Sequence, residues 1–223
     1  MKSDIFTTDP TIDTMHLYWA SEKPEKIFKC PIFEVSKVRR QSQDGRVGDF
    51  ITVDCPEWVV IIPIFKDENG VVRVVVEQQY RHGSDSVTRE FPAGLVEKDE
   101  DALTAAEREL LEETGIKASK ITLLGNLSPN NAFMSNRQYF FLAEDLEKVS
   151  GQNLDQNEEI DILSLPLADV IDQMGSGISD NALMMAATGL LLKEEKKRGG
   201  FLFEAFLFNS FSFITTFYIL FNT

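Results

Sequence analysis

Residues 94–116 read GLVEKDEDALTAAERELLEETGI, with eight acidic side chains against two basic ones. Glu109, Glu112 and Glu113 stand at i, i+3 and i+4, so on a helix they emerge from one side. Like charges at that spacing repel one another, and a hard divalent cation with oxygen ligands is their natural compensation. Arg108, four residues before Glu112, can hold the cluster in position. Asp99, Glu100 and Asp101 crowd the expected start of the helix, where its positive end favours them. The spacing predicts a helix over about 102–114. Leu103, Leu110 and Leu111 supply its buried side, and Ala102, Ala105 and Ala106 permit close packing. Gly115 is placed as a left-handed terminator with Ile116 packing back beyond it, and Pro92 to Gly94 reads as a tight turn. A magnesium-type site usually serves phosphate chemistry. The competing reading, a solvated acidic helix, requires neither the arginine nor the bracketing glycines.

Outward from this segment the pattern is mixed. Trp58–Phe65 is nearly continuous apolar sequence, as in a strand buried on both faces. Asp67-Glu68-Asn69-Gly70 supplies a hairpin turn, and Val71–Tyr80 runs back as a second strand. Thr88–Phe91, Ile121–Leu127, Tyr139–Ala143 and Ile160–Leu165 are further strands. Leu167–Met174 and Asp180–Lys197 read as helices, the second capped by Ser179 or Asp180. Before residue 55, Ile32, Phe33, Val35 and Val38 suggest a strand or two, Gln43–Gly45 a turn and Phe50–Val53 a short strand. The expected organisation is an N-terminal β extension over 1–55, a main domain over 56–198 and an apolar tail over 199–223.

The chain has 223 residues, an apolar fraction of 43% and a net charge of −14. Such acidity argues against nucleic acid as a partner, but not against a small phosphorylated substrate bridged by a metal. Cys30 and Cys55 are isolated, without zinc-type spacing, which fits reduced thiols in a cytoplasmic protein. The N-terminus lacks the apolar stretch of a secretory signal. Neither His16 nor His82 has a partner suggesting a nucleophile–base pair.

The run Gly94, Glu100, Arg108-Glu109-Leu110, Glu112-Glu113, Gly115-Ile116 resembles the Nudix signature at every defining position. The elements Glu77-Gln78-Gln79-Tyr80-Arg81-His82-Gly83 and Glu90-Phe91-Pro92-Ala93-Gly94 are similar to the branch containing ADP-ribose and nucleotide-sugar pyrophosphatases. That resemblance implies an α/β fold, a Nudix-type α/β/α sandwich with a mixed sheet and an N-terminal antiparallel β extension. It implies Mg²⁺ (or Mn²⁺) held by Glu109, Glu112, Glu113 and the Ala93 carbonyl, with Glu100 supporting the loop and ligating through water. Arg108 would orient the carboxylates. Arg81 would contact substrate phosphates, a surface ion pair being its alternative. Leu95 and Pro129 would border the substrate, although Pro129 stands in Ser-Pro-Asn-Asn rather than Ser-Pro-Gly. Glu158 or Glu159 would take a proton from water or complete the metal shell. The implied reaction is hydrolysis of the diphosphate in ADP-ribose or a related nucleoside diphosphate sugar, giving a nucleoside monophosphate and a sugar phosphate. A homodimer with an exchanged N-terminal sheet is implied as well. Trp19, Phe28 and Phe33 could stack on a base or pack internally.

Rival readings are a sensing module without turnover, or a pyrophosphatase for GDP-mannose or a dinucleotide. An isopentenyl diphosphate isomerase would need a cysteine in a matching context, which neither Cys30 nor Cys55 provides. Residues 201–222 carry eight of the chain's 17 phenylalanines behind Lys193, Lys196, Lys197 and Arg198. This stretch reads as a membrane tail anchor, a docking element or a non-native extension.

Overall fold

The computed structural model describes residues 11 and 13–199, so the Phe-rich tail and the readings attached to it lie outside the described residues. Two compact units emerge. One holds the described residues up to Cys55 together with Asn130–Asn136, and the other holds Pro56–Pro129 and the described residues from Arg137 onward.

The first unit is a four-stranded antiparallel sheet of β1 (Trp19–Ser21), β2 (Glu25–Lys29), β3 (Glu34–Ser42) and β4 (Val47–Asp54). Central β3 carries β4 along one edge and β2 then β1 along the other. The β3–β4 hairpin turns at Asp44-Gly45, with Gly45 at φ 87°. Ile32 lies in a bend before β3 and is exposed. Trp19 meets Phe50 edge-on at 5.5 Å and lies under the Arg46 guanidinium at 5.3 Å. Phe28 leans on Phe33. Trp19 on β1 and Phe33 just before β3 thus both have ring contacts within this unit.

The second unit is built on a seven-stranded mixed sheet. Its strands are β5 (Trp58–Lys66), β6 (Val72–Arg81), β7 (Ser86–Glu90), β8 (Ala93–Leu95), β9 (Ile116–Leu127), β10 (Gln138–Lys148) and β11 (Ile160–Pro166). Only β5 and β10 run parallel; the other pairs are antiparallel. Asp67 closes the β5–β6 hairpin, its Oδ1 accepting from the amides of Asn69 and Val71. Strands β9 and β10 are longer than their apolar cores suggest, because Ile116–Lys120 and Glu144–Lys148 pair with one another.

A split in the sheet positions the site. β5 and β6 pair only over Ile64–Lys66 and Val72–Val74, then diverge. β7 lines β6 beyond that point and β8 lines β5, so Phe91-Pro92 crosses from one arm to the other. The amide of Ile61 donates to the Pro92 carbonyl at 2.8 Å and fixes that crossing.

Helix α1 (Ala102–Thr114) covers one face, packing Ala105, Ala106 and Leu110 on Val59, Ile61, Phe141 and Ala143. α2 (Leu167–Gln173) and α3 (Ala182–Lys197) cover the other, over Val60, Ile62, Val74, Val76, Phe91, Phe140 and Leu142. Burying a side chain such as Leu110, 1% exposed, contributes about 1.5–3 kcal/mol. The architecture is therefore α/β/α. Leu103, expected on the buried side, is 44% exposed, because the small residues Ala102, Ala105 and Ala106 take the place against the core in that part of the helix. The cap of α3 is Asn181, not Ser179 or Asp180: residues 177–179 form a 3₁₀ turn first, and Asn181 Oδ1 accepts from the Leu183 amide at 2.8 Å. No helix among the described residues is long and apolar enough to cross a membrane.

Candidate active site

Helix α1 is fixed at both ends. Asp101 caps it, accepting from the amides of Leu103 and Thr104. Such a cap is worth about 1 kcal/mol. At the other end Gly115 adopts φ 65°, and a Cβ there would lie 2.2 Å from the Ser150 carbonyl, so both backbone and space demand glycine.

Arg108 organises the outer carboxylates. Its guanidinium donates to Glu100 through Nε and Nη2, to Glu109 and Glu112 through Nη1, and to the Leu95 carbonyl through Nη2, all between 2.8 and 3.1 Å. The Arg108 bond holds the Glu100 carboxyl below its ordinary range, and Glu100 also accepts from the Glu97 amide. Glu109 is pushed up by burial despite Arg108. Its carboxylate lies against Gly94, where a Cβ would stand 2.0 Å from Cδ and Oε1. The glycine that opens the segment is thus a cradle for Glu109.

Beneath the helix lies a second pair. Glu113 is 4% exposed and accepts from the Ala93 amide at 3.0 Å. It faces Glu77 of β6, which is 0% exposed and whose two oxygens find no donor among the described residues. When both are ionised, neither has a proton to give the other. Burial drives both carboxyls well above their ordinary range; the Glu77 and Glu109 charges add to the rise of Glu113, and those of Glu90 and Glu109 to the rise of Glu77, which the Arg81 guanidinium opposes.

Arg81 closes the opposite side, donating to buried Glu90 through Nε at 3.0 Å and Nη2 at 2.6 Å. Its side chain stays 43% exposed. Glu158 sits in a turn where its carboxylate accepts from the Asp155 amide, and its charge acts on both Glu109 and Glu113. Glu159 beside it is exposed. Leu95 is exposed at the lip of β8, and Pro129 is half-buried after β9.

The structure thus gathers Glu100, Arg108, Glu109, Glu112, Glu113 and Ala93 around the Gly94 turn. It also brings in Glu77 and Glu90, which sequence reasoning quoted but gave no role. Neither carries a local signal, since each acquires its place only through the strand register that sets them opposite one another.

Among the described residues no three His, Cys, Asp or Glu side chains converge as a ready ligand shell, since Arg108 engages Glu109 and Glu112 while Glu113 turns to the Ala93 amide. The donor set nevertheless fits a hard divalent ion. Its ligands are carboxylate oxygens, two of them on Glu77 lack any donor, and the charge concentrated at Glu77, Glu109 and Glu113 exceeds what nearby cations neutralise.

Comparison with known proteins agrees with this geometry. The NUDIX domain model matches residues 56–185. The chain is 28% identical over 177 residues to the ADP compounds hydrolase NudE of Escherichia coli (strain K12), covering 78% of this chain and 92% of that protein. It is 28% identical over 172 residues to an ADP-ribose pyrophosphatase of Bacillus subtilis (strain 168), covering 76% and 91%. It is also 29% identical over 177 residues to a methanol dehydrogenase activator of Bacillus methanolicus, covering 78% and 94%. The crystal structure of an ADP compounds hydrolase superposes with a TM-score of 0.71 at 26% identity, over 82% of this chain and 96% of that one. A split mixed sheet, a glycine-cradled glutamate helix and a domain match over most of the second unit lead to one assignment: this chain belongs to the NUDIX family and is a Nudix hydrolase.

Proposed function

We propose that the protein hydrolyses the diphosphate linkage of ADP-ribose or a related nucleoside diphosphate sugar in a Mg²⁺-dependent reaction, releasing a nucleoside monophosphate and a sugar phosphate. The observation that carries this reading is the Gly94–Glu109 cradle beside the Glu113–Ala93 contact, which concentrates oxygen donors where the sheet splits. Relatives named for ADP-ribose and ADP compounds support the substrate class.

Mg²⁺ held by Glu109, Glu112, Glu113 and the Ala93 carbonyl, with Glu100 behind them, would neutralise the diphosphate and acidify water. The chain's own groups supply the rest. Arg81 presents an always-charged planar fork to a non-bridging phosphate oxygen. Glu158, or its neighbour Glu159, accepts the proton of the attacking water. As the water oxygen bonds to phosphorus, the bridging P–O bond breaks and its electrons leave with the departing phosphate. Arg108 keeps Glu100, Glu109 and Glu112 aligned, and Leu95 and Pro129 border the substrate.

A homodimer through the N-terminal sheet accords with the exposure of Ile27, Phe28, Val47, Phe50 and Ile51 on that sheet. Free Cys30 and Cys55 suit a reducing, cytoplasmic setting.

Replacing Glu112 or Glu113 by Gln and assaying ADP-ribose with saturating Mg²⁺ tests the reading. Turnover should fall about 10³-fold; near-native rates would overturn the metal role. A panel of nucleoside diphosphate sugars and dinucleotides, read as released phosphate after phosphatase treatment, then ranks substrates.

A further inference from the structure

We propose that Glu90 is a positioning residue, acting through Arg81 to aim a guanidinium edge at the substrate's phosphates. The inference rests on the reading of Arg81 as a phosphate-binding group.

The strand register supplies the first argument. On the β6–β7 ladder Arg81 stands opposite Ser86, whereas Glu90 stands opposite Glu77. To reach Glu90, the Arg81 side chain must run back along its own strand, toward the crossing that leads to Ala93 and Gly94. An arginine free of that pairing would keep its rotamer freedom, to lose on binding.

Geometry at the guanidinium is the second. Glu90 engages Nε and Nη2, while Nη1 has no hydrogen-bond partner among the described residues. With 43% of the side chain exposed against 6% for Glu90, the pair has a fixed inner end and an open outer one. A planar fork gripped along one edge leaves the other set for a phosphate oxygen.

Third, Glu90 is itself anchored. The Thr88 hydroxyl donates to it, and the side chain of Asn181, the cap of α3, acts to lower its carboxyl. Burial works to raise its carboxyl, but the bonds from Arg81 and Thr88 prevail and hold it below the ordinary range. The ionised acid sits directly across from the unpartnered Glu77, a repulsive neighbour. A pair placed there for stability alone is poorly sited, because a buried ion pair seldom outperforms apolar packing.

The test is steady-state hydrolysis of ADP-ribose with saturating Mg²⁺ by Arg81→Ala, Glu90→Gln, Glu90→Asp and the Arg81→Ala/Glu90→Gln double variant. Arg81→Ala should raise KM at least about tenfold, and Glu90→Gln about tenfold with kcat changed less than about threefold. The double variant should be no worse than Arg81→Ala alone, since Glu90 has nothing left to aim. An unchanged KM in Arg81→Ala overturns the phosphate reading itself. A raised KM in Arg81→Ala overturns the positioning role and spares that reading if it comes with native KM in a folded Glu90→Gln, or with losses that multiply in the double variant. Should Glu90→Gln fail to fold, Glu90→Asp keeps the charge and shortens the reach by one methylene. It should show the same KM rise, and native KM there overturns the proposal.

Discussion

Glu100, Glu109 and Glu112 share one guanidinium, whereas Glu77 and Glu113 have only each other and the Ala93 amide. The two groups stand on the outer and inner sides of the Gly94 turn, and the fold treats them oppositely. The outer acids are compensated by the chain itself and hold the loop to the helix. The inner acids are buried without enough donors, a state disfavoured until a proton or a cation arrives. One helix thus carries both a scaffold and a receptive site, and Glu109, bonded to Arg108 yet lying on Gly94, belongs to both.

The strongest way to break that contrast is to remove the shared cation. Arg108→Ala leaves three carboxylates mutually repelling and should destabilise the protein by about 2–4 kcal/mol, read from denaturant midpoints with and without Mg²⁺. Loss under about 0.5 kcal/mol would show that Arg108 is no organiser. A gentler displacement is Gly94→Ala. Its Cβ meets only the end of a flexible side chain, so the fold should survive while Glu109 is pushed aside. ADP-ribose turnover should drop about ten- to hundredfold with thermal stability nearly unchanged; native turnover would separate Glu109 from the reaction.

The smallest effect concerns the inner pair. Both carboxyls titrate above an ordinary 4.5 in the folded protein because of burial first and neighbouring carboxylates second. Below that pH, folded and unfolded chains are both protonated and the pair costs nothing. As pH rises the unfolded chain ionises first, so the metal-free fold loses stability from about pH 4.5 into the alkaline range. Glu77→Gln supplies an amide donor to Glu113 and should raise the metal-free Tm at pH 8 by about 2–4 °C, equivalent to about 1 kcal/mol. It should also flatten the pH slope. An unchanged slope would mean that the pair already has a partner.

The outer group was legible in the sequence, as was Glu113 of the inner pair; Glu77 was not. Caps, spacing and the terminating glycine of α1 are local signals, and Asp101, Arg108 and Gly115 act where their order in the chain places them. The Asp67–Gly70 turn was readable for the same reason. Glu77 reads locally as one polar residue in an alternating strand; its burial comes from a helix some thirty residues later. Glu90 likewise gains meaning only through a register that sets it against Glu77 and within reach of Arg81. The extensions of β9 and β10 through Lys, Glu and Asp escaped notice because a ladder, not propensity, holds them. Leu103 misled because three alanines, not the bulkiest apolar residue, take the inward positions of that part of the helix.

The parallel pairing of β5 with β10, Trp58–Pro63 beside Gln138–Ala143, bears on how this protein comes to be made. A ribosome must deliver some eighty further residues before β5 meets that neighbour, while the β5–β6 hairpin can close almost at once. Such distant closure is slow compared with local contacts. Until β10 emerges, the Val-Ile face of β5 is an open edge on a nascent chain, the stage at which a chaperone would find most to hold.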